Sequence, residues 1–123
     1  MQKSIAIIGA SANREKFGNK AVRAYLEKGW KVFPINPKET TIEGLSCFAS
    51  IGLIGIKPDR TSIYLPPAVT ISIIPELKRT GISEVVLNPG AESNELIEAL
   101  KKAGIKALLF CSIMAIGINP DDL

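Results

Sequence analysis

The sequence predicts an α/β domain, a three-layer sandwich in which one five-stranded parallel sheet carries helices on both faces. Three observations point there. Short apolar runs alternate with longer stretches whose apolar residues recur at helical spacing. The runs are continuous rather than alternating, as expected of strands covered on both sides. Glycine closes the helical stretches, and proline-bearing or polar turns close the strands.

Taken in order, Ser4–Gly9 is an apolar run closed by glycine and reads as the first strand. Asn19–Lys28 places Ala21, Val22, Tyr25 and Leu26 on one helical stripe, and Gly29 stops it. Trp30–Ile35 is the second strand, closed by Asn36-Pro37. Ile42–Ile54 carries no clear period, and a turn with a short helix around Cys47–Ile51 is expected there. Thr61–Leu65 is the third strand, ending in Pro66-Pro67. Ala68–Arg79 reads as a helix interrupted near Pro75, because proline removes a backbone donor and crowds the preceding turn. Ser83–Leu87 is the fourth strand, followed by Asn88-Pro89-Gly90. Glu92–Ala103 sets Leu96, Ile97, Leu100 and Ala103 on one face, with Glu92 and Glu95 in a first turn whose dipole favours carboxylates. Ile105–Phe110 is the fifth strand. Beyond it, Ser112–Gly117 is apolar, suited to cover a sheet edge or meet a second subunit, and the last residues are polar.

Composition narrows the chemistry. At 123 residues the chain has room for one domain, residues 1–123, and its 46% hydrophobic content excludes disorder. Cys47 and Cys111 form no metal-ligand pair and suggest reduced thiols, hence a cytoplasmic protein. Histidine is absent, which removes His-based triads, HExxH zinc chemistry and imidazole acid–base catalysis together. No catalytic constellation and no metal site is read. The apolar run at Ile5–Ile8 is too short for a secretory signal core, and no window is long enough to span a membrane.

Charge is uneven along the chain. Residues 1–38 carry eight basic against two acidic residues, a balance of +6, whereas residues 39–123 carry seven against ten, or −3. A cationic first third suits an anionic partner, though a solvated lysine-bearing face is the plainer account. No basic run is interleaved with aromatics, so nucleic acid is not expected as a partner.

Parallel sheets of this kind place their sites at the carboxyl ends of the strands. Those ends carry Gly9-Ala-Ser11-Ala-Asn13, Asn36-Pro37-Lys38, Pro66-Pro67 and Asn88-Pro89-Gly90, all compact or conformationally fixed. The first loop, Gly9 to Asn19, suits phosphate: backbone amides and a helix start face outward, Ser11, Asn13 and Asn19 add donors, and Arg14 or Lys16 adds charge. It is neither GxGxxG nor a Walker loop, and a ligand-free capped turn explains it as well. After the second strand, where dinucleotide sites place an acid for the ribose diol, this chain has Lys38. A lysine there favours 3′-phospho-ADP, as in coenzyme A, or the 2′-phosphate of NADP over NAD. A solvent lysine after a turn is the alternative.

The loop Gly9-Ala10-Ser11-x-Asn13-x-x-Lys16-Phe17-Gly18-Asn19, the Asn36-Pro37-Lys38 turn, Tyr64-Leu65-Pro66-Pro67 and Asn88-Pro89-Gly90-Ala91-Glu92-Ser93 together resemble the small CoA-binding proteins. These are single-domain relatives of the CoA-binding domain of the succinyl-CoA synthetase α-subunit and of ADP-forming acyl-CoA synthetases. The resemblance runs from about residue 3 to residue 116. It implies a Rossmann-like domain that binds coenzyme A or an acyl-CoA through its 3′-phospho-ADP moiety. It also implies roles. Gly9, Ser11 and Asn13 would line the phosphate loop, and Lys16 with Phe17-Gly18-Asn19 would follow the diphosphate into the first helix. Asn36, Pro37 and Lys38 would face the ribose phosphate and adenine. Pro66 and Pro67 would floor the site, and Asn88, Pro89 and Gly90 would close its far rim.

The larger synthetases act through a phosphorylated histidine on another domain, and this chain has no histidine to carry that over. The expectation is therefore binding without catalysis of its own, with a second copy or a separate catalytic protein as partner. Cys111, expected on the ligand rim, is open to a mixed disulfide with the CoA thiol or to inert packing. A small NADP-dependent oxidoreductase or other nucleotide-using enzyme is the competing class, but Tyr64 lacks a YxxxK partner because its fourth successor is Ala68.

Overall fold

The computed structural model describes residues 2–123. In chain order the regular elements are β1 (Ser4–Ile8), α1 (Phe17–Glu27), β2 (Lys31–Ile35), β3 (Thr41–Ile42), β4 (Leu45–Ser46), β5 (Arg60–Ile63), α2 (Pro67–Arg79), β6 (Glu84–Leu87), α3 (Asn94–Lys102) and β7 (Lys106–Leu109). Single 3-10 turns lie at Ile51–Leu53, Met114–Ile116 and Pro120–Asp122. Five strands form one parallel sheet in the order β2-β1-β5-β6-β7, the Rossmann-like arrangement expected from the sequence. The order reverses between β1 and β5, so the connections leaving these two neighbours go to opposite faces.

The β1 side chains show the layering. Ile5 and Ile7 belong to a buried cluster with Ala21, Val22 and Tyr25 of α1, whereas Ala6 and Ile8 belong to the cluster on the other face that holds Leu77 of α2 and Leu96 and Leu100 of α3. All of these are buried, and each large aliphatic contributes on the order of 1.5–3 kcal/mol by leaving water. The apolar tail completes the α1 side. Ile113 is wholly buried there, and Tyr25 Oη donates to Ser112 O at 2.7 Å. The tail thus covers a sheet face, leaving β7 as an edge with Leu109 exposed.

Several expected boundaries move for physical reasons. Helix α1 starts at Phe17, ahead of Asn19, and takes Gly18 into its first turn. The short helix expected around Cys47–Ile51 is a single 3-10 turn shifted to Ile51–Leu53, and ahead of it β3 and β4 make an antiparallel hairpin turning on Glu43-Gly44. Cys47 follows it, and burial raises its thiol pKa above the ordinary value. Helix α2 runs through Pro75 without a restart, because the proline faces solvent and only the Ile71 carbonyl forgoes a helical donor. Glu92 lies ahead of α3 rather than in its first turn; Ser93 is the cap, its Oγ accepting from Leu96 N at 3.0 Å.

Candidate functional site

The chain reversal between β1 and β5 opens a cleft of about 630 Å³ at the carboxyl ends of the strands. Its near wall is the loop after β1, with Gly9, Ser11, Lys16, Phe17 and Gly18. Its far wall comes from β5 and β6, with Pro66, Pro67, Asn88, Pro89 and Gly90. Asn36 closes the end toward β2. A second, largely apolar lobe of about 430 Å³ shares Gly9, Asn36 and Leu65 with the first and holds Pro37 and Lys38. Of the fifteen residues expected from the sequence, only Asn13 and Asn19 lie outside both lobes.

Two glycines allow the loop to sit where it does. Gly9 has φ +93°, and a Cβ on it would meet the Tyr64 carbonyl carbon and oxygen at 2.9 Å, so the β1 loop can lie against the end of β5 only with glycine here. A Cβ on Gly18 would stand on the Gly9 carbonyl oxygen, so α1 packs against the end of β1 at backbone distance. The amides of Gly9 and Ala10 are not free for a ligand, because both donate to Ile35 O, at 3.1 and 3.2 Å. The amides of Phe17 and Gly18 are different: among the described residues they have no acceptor. Helix α1 also has no side-chain cap and no acid in its first turn, which leaves the positive end of its dipole facing the cleft beside Lys16.

The two asparagines outside the cleft shape the loop instead. Asn13 Oδ1 accepts from Glu15 N at 3.0 Å, and its own amide donates to Ser11 Oγ at 3.0 Å. Asn19 is wholly buried, and its Nδ2 donates to Ser11 O at 2.9 Å and to Glu43 Oε2 at 3.1 Å. Asn36 lines the cleft with its side chain partly committed: one Nδ2 hydrogen goes to Ala10 O at 2.8 Å, and Oδ1 accepts from Lys38 N at 2.8 Å. Lys38 is thereby presented on a fixed turn with its ammonium exposed at the second lobe. That lobe also contains residues the sequence did not single out, Ser50 and Ile51 from the segment after the hairpin and Val69, Ile73 and Glu76 from α2. Their only signal was helical spacing in α2, which a core face explains equally. Glu76 Oε1 accepts from Gly52 N at 2.8 Å.

The far rim rests on a buried polar network. Asn88 Nδ2 donates to Ser62 Oγ at 2.7 Å and to Ile63 O at 2.9 Å, while Asn88 Oδ1 accepts from Ser112 N at 2.8 Å. Ser62 and Ser112 share a hydrogen bond of 2.6 Å. Asn88 therefore joins three strand ends, and neither of its amide hydrogens is left to donate to a ligand. At Gly90 the amide donates to Glu92 Oε1 at 3.2 Å. Tyr64, expected inside a strand, lies just past β5 and lines the cleft. Its buried hydroxyl has no partner among the described residues, and burial raises its pKa well above the ordinary value. Cys111 does not line the cleft; it sits with Phe110, Met114 and Ala115 in a separate apolar recess, away from the position a ligand thiol was expected to meet.

The chemistry offered is that of an anion site beside a largely apolar lobe. Free amides and Lys16 serve one lobe, and Lys38 stands at the other. This donor set suits an anionic ligand that also has an apolar part. Among the described residues no group of His, Cys, Asp and Glu side chains is placed to hold a metal, and no helix is long and apolar enough to cross a membrane.

Comparison with known proteins identifies the family. Residues 3–117 match the CoA binding domain family. Acetate–CoA ligase (ADP-forming) of Methanocaldococcus jannaschii is 32% identical over 85 residues, covering 69% of this chain and 12% of the ligase. The Archaeoglobus fulgidus enzyme II is 31% identical over 116 residues, 85% of this chain and 17% of the enzyme. The chain thus spans well under a quarter of the length of these two relatives. A conserved hypothetical protein of Pyrococcus furiosus superposes with a TM-score of 0.82 at 32% identity, covering 94% of this chain and 99% of that one. The dinucleotide-forming acetyl-coenzyme A synthetase 1 of Ca. Korarchaeum cryptofilum, in complex with phosphate and ADP, superposes with a TM-score of 0.73 at 28% identity over 86% of this chain and 25% of its own. With a Rossmann-like sheet, a cleft at the chain reversal and a match over nearly its whole length, the chain belongs to the CoA-binding domain family and is related to the ADP-forming acetyl-CoA synthetases.

Proposed function

We propose that this protein binds coenzyme A or an acyl-CoA through its 3′-phospho-ADP moiety, in a cytoplasmic setting, and performs no chemistry of its own. The observation that carries the reading is the two-lobed cleft, which draws together the four strand-end motifs and sets one lysine at each lobe. In this reading Lys16 and the Phe17 and Gly18 amides hold the diphosphate, and Lys38 takes the ribose phosphate. Pro37 and Ile51 flank the base, and the Pro66-Pro67 and Pro89-Gly90 turns guide the pantetheine arm. Coenzyme A would supply a thiol that carries the acyl group; the residues here bind and orient it. A separate catalytic protein is the expected partner for any acyl transfer. The oxidoreductase alternative is disfavoured by Tyr64, whose hydroxyl is buried rather than presented to the cleft.

The test is thermal unfolding with CoA, dephospho-CoA, NADP and NAD in parallel. A ligand at a hundred times its Kd adds about 2.7 kcal/mol. CoA should stabilise more than dephospho-CoA, and Lys38→Glu should erase that difference. No stabilisation by CoA overturns the proposal. Equal stabilisation by CoA and dephospho-CoA removes the role of Lys38 alone.

A further inference from the structure

We propose that Glu43, in the turn of the β3–β4 hairpin, is the positioning residue for loop 11–16, holding it in the shape the cleft requires; this rests on the anion-binding reading of that loop. Among the described residues Glu43 is the one non-glycine with positive φ, at 49°. A residue of this size stays in that conformation where its surroundings over-determine it. The hairpin base is anchored, because Ile42 is buried in the core on the α1 side. From that base the Glu43 side chain reaches the loop.

Four residues close a ring. Glu43 Oε2 accepts from Asn19 Nδ2 at 3.1 Å, Asn19 Oδ1 accepts from Arg23 Nε at 2.8 Å, and Arg23 Nη2 donates to Arg14 O at 2.9 Å. Arg14 Nη2 returns to Glu43 Oε1 at 3.7 Å. None of the four lines the cleft, yet the ring grips the loop at two points, Arg14 O and, through Asn19, Ser11 O at 2.9 Å.

The two contacts of Glu43 carry different weight. The Arg14 side chain is 65% exposed, so the ion pair is screened by solvent and holds little. Asn19 is wholly buried, and its amide hydrogens go to Ser11 O and Glu43. Without the carboxylate one of them loses its acceptor, and any turn of the amide to recover one releases Ser11. The influence on the cleft therefore runs from Glu43 through Asn19 to the Ser11 carbonyl.

Glu43→Gly suits the positive φ, so the turn and the Ile42 contact are kept while the carboxylate is lost. Glu43→Gln keeps an acceptor for Asn19. Amide hydrogen exchange of residues 11–16 without ligand and calorimetric titration with CoA are measured on the full chain. Glu43→Gly should exchange faster in that loop and bind CoA about tenfold more weakly, with Tm lowered by no more than about 4 °C, because relief of the strained turn offsets part of the lost hydrogen bond. Glu43→Gln should track the parent in both. Unchanged loop exchange in Glu43→Gly overturns the proposal, as does a lowered Tm with no change specific to the loop. If the parent fails to bind CoA, the functional reading falls, while the exchange data still decide the role of Glu43.

Discussion

Gly18→Ala tests how the near wall of the cleft is built. The added Cβ would fall on the Gly9 carbonyl oxygen, with the Gly9 carbonyl carbon and Ala10 Cα at 3.2 Å behind it. Backbone atoms cannot swing aside as a side-chain tip can, so the first turn of α1 must retreat. Overpacking of this kind costs up to about 3 kcal/mol, and the better helix propensity of alanine returns about 1. The remaining 2 kcal/mol, roughly, lowers Tm by about 8 °C in a domain of this length. Gly104→Ala is the comparison. Nothing lies within 4 Å of its Cβ, and only its φ of +77° resists, so about 1–2 kcal/mol is expected without a clash. The two variants separate in binding: retreat of α1 displaces the Phe17 and Gly18 amides, weakening CoA about tenfold, the worth of one charge-assisted hydrogen bond. Melting followed by circular dichroism and titration by calorimetry read both effects. Gly18→Ala with parental melting and parental affinity would refute the close-approach argument.

Other substitutions have equally definite outcomes. Asn88→Ala removes three buried hydrogen bonds and strands the Ser112 amide, so urea unfolding should show a loss of about 3 kcal/mol with the sheet intact. Tyr64→Phe deletes a hydroxyl that has no partner among the described residues, so stability near neutral pH should hold or rise. In alkali the sign follows from burial. The folded tyrosine stays protonated above its ordinary pKa of 10 while the unfolded one ionises, so stability is full below pH 10 and falls as pH climbs beyond it. Tyr64→Phe should soften that fall, measured by denaturant titrations from pH 9 to about 11. A variant falling as steeply as the parent would remove Tyr64 from the account.

The sheet was readable in the residues because each of its strands is a short apolar run bounded by a turn, and burial on both faces leaves that mark. Helix α3 was readable through Leu96 and Leu100 and its closing Gly104. The β3–β4 hairpin was not, since two-residue strands have no period and Glu43 is an unusual occupant of a left-handed turn position. The cleft motifs could be located from the strand ends, but the use of each side chain could not. Asn19, Asn36 and Asn88 look like ligand donors on paper, yet both amide hydrogens of Asn19 and Asn88 and one of Asn36 are spent in joining loops whose contacts span 8 to 26 residues of chain. Such pairings depend on which strand ends become neighbours, and that follows from the order of the sheet. The Glu76 wall of the second lobe was hidden for a related reason: a helix stripe that faces a slot has the same spacing as one that faces a core.

The parting of α1 and α2 to opposite faces has a consequence for how such a protein can change. The hollow comes from a reversal in chain routing, so it exists before any side chain is chosen to furnish it. Substitutions at the Lys38 and Lys16 positions can therefore retune what is held there at small cost to the scaffold. Replacing Gly9 or Gly18 instead attacks the joinery that lets the two halves meet. Variation among proteins built this way should gather on the furnishings and spare the joints.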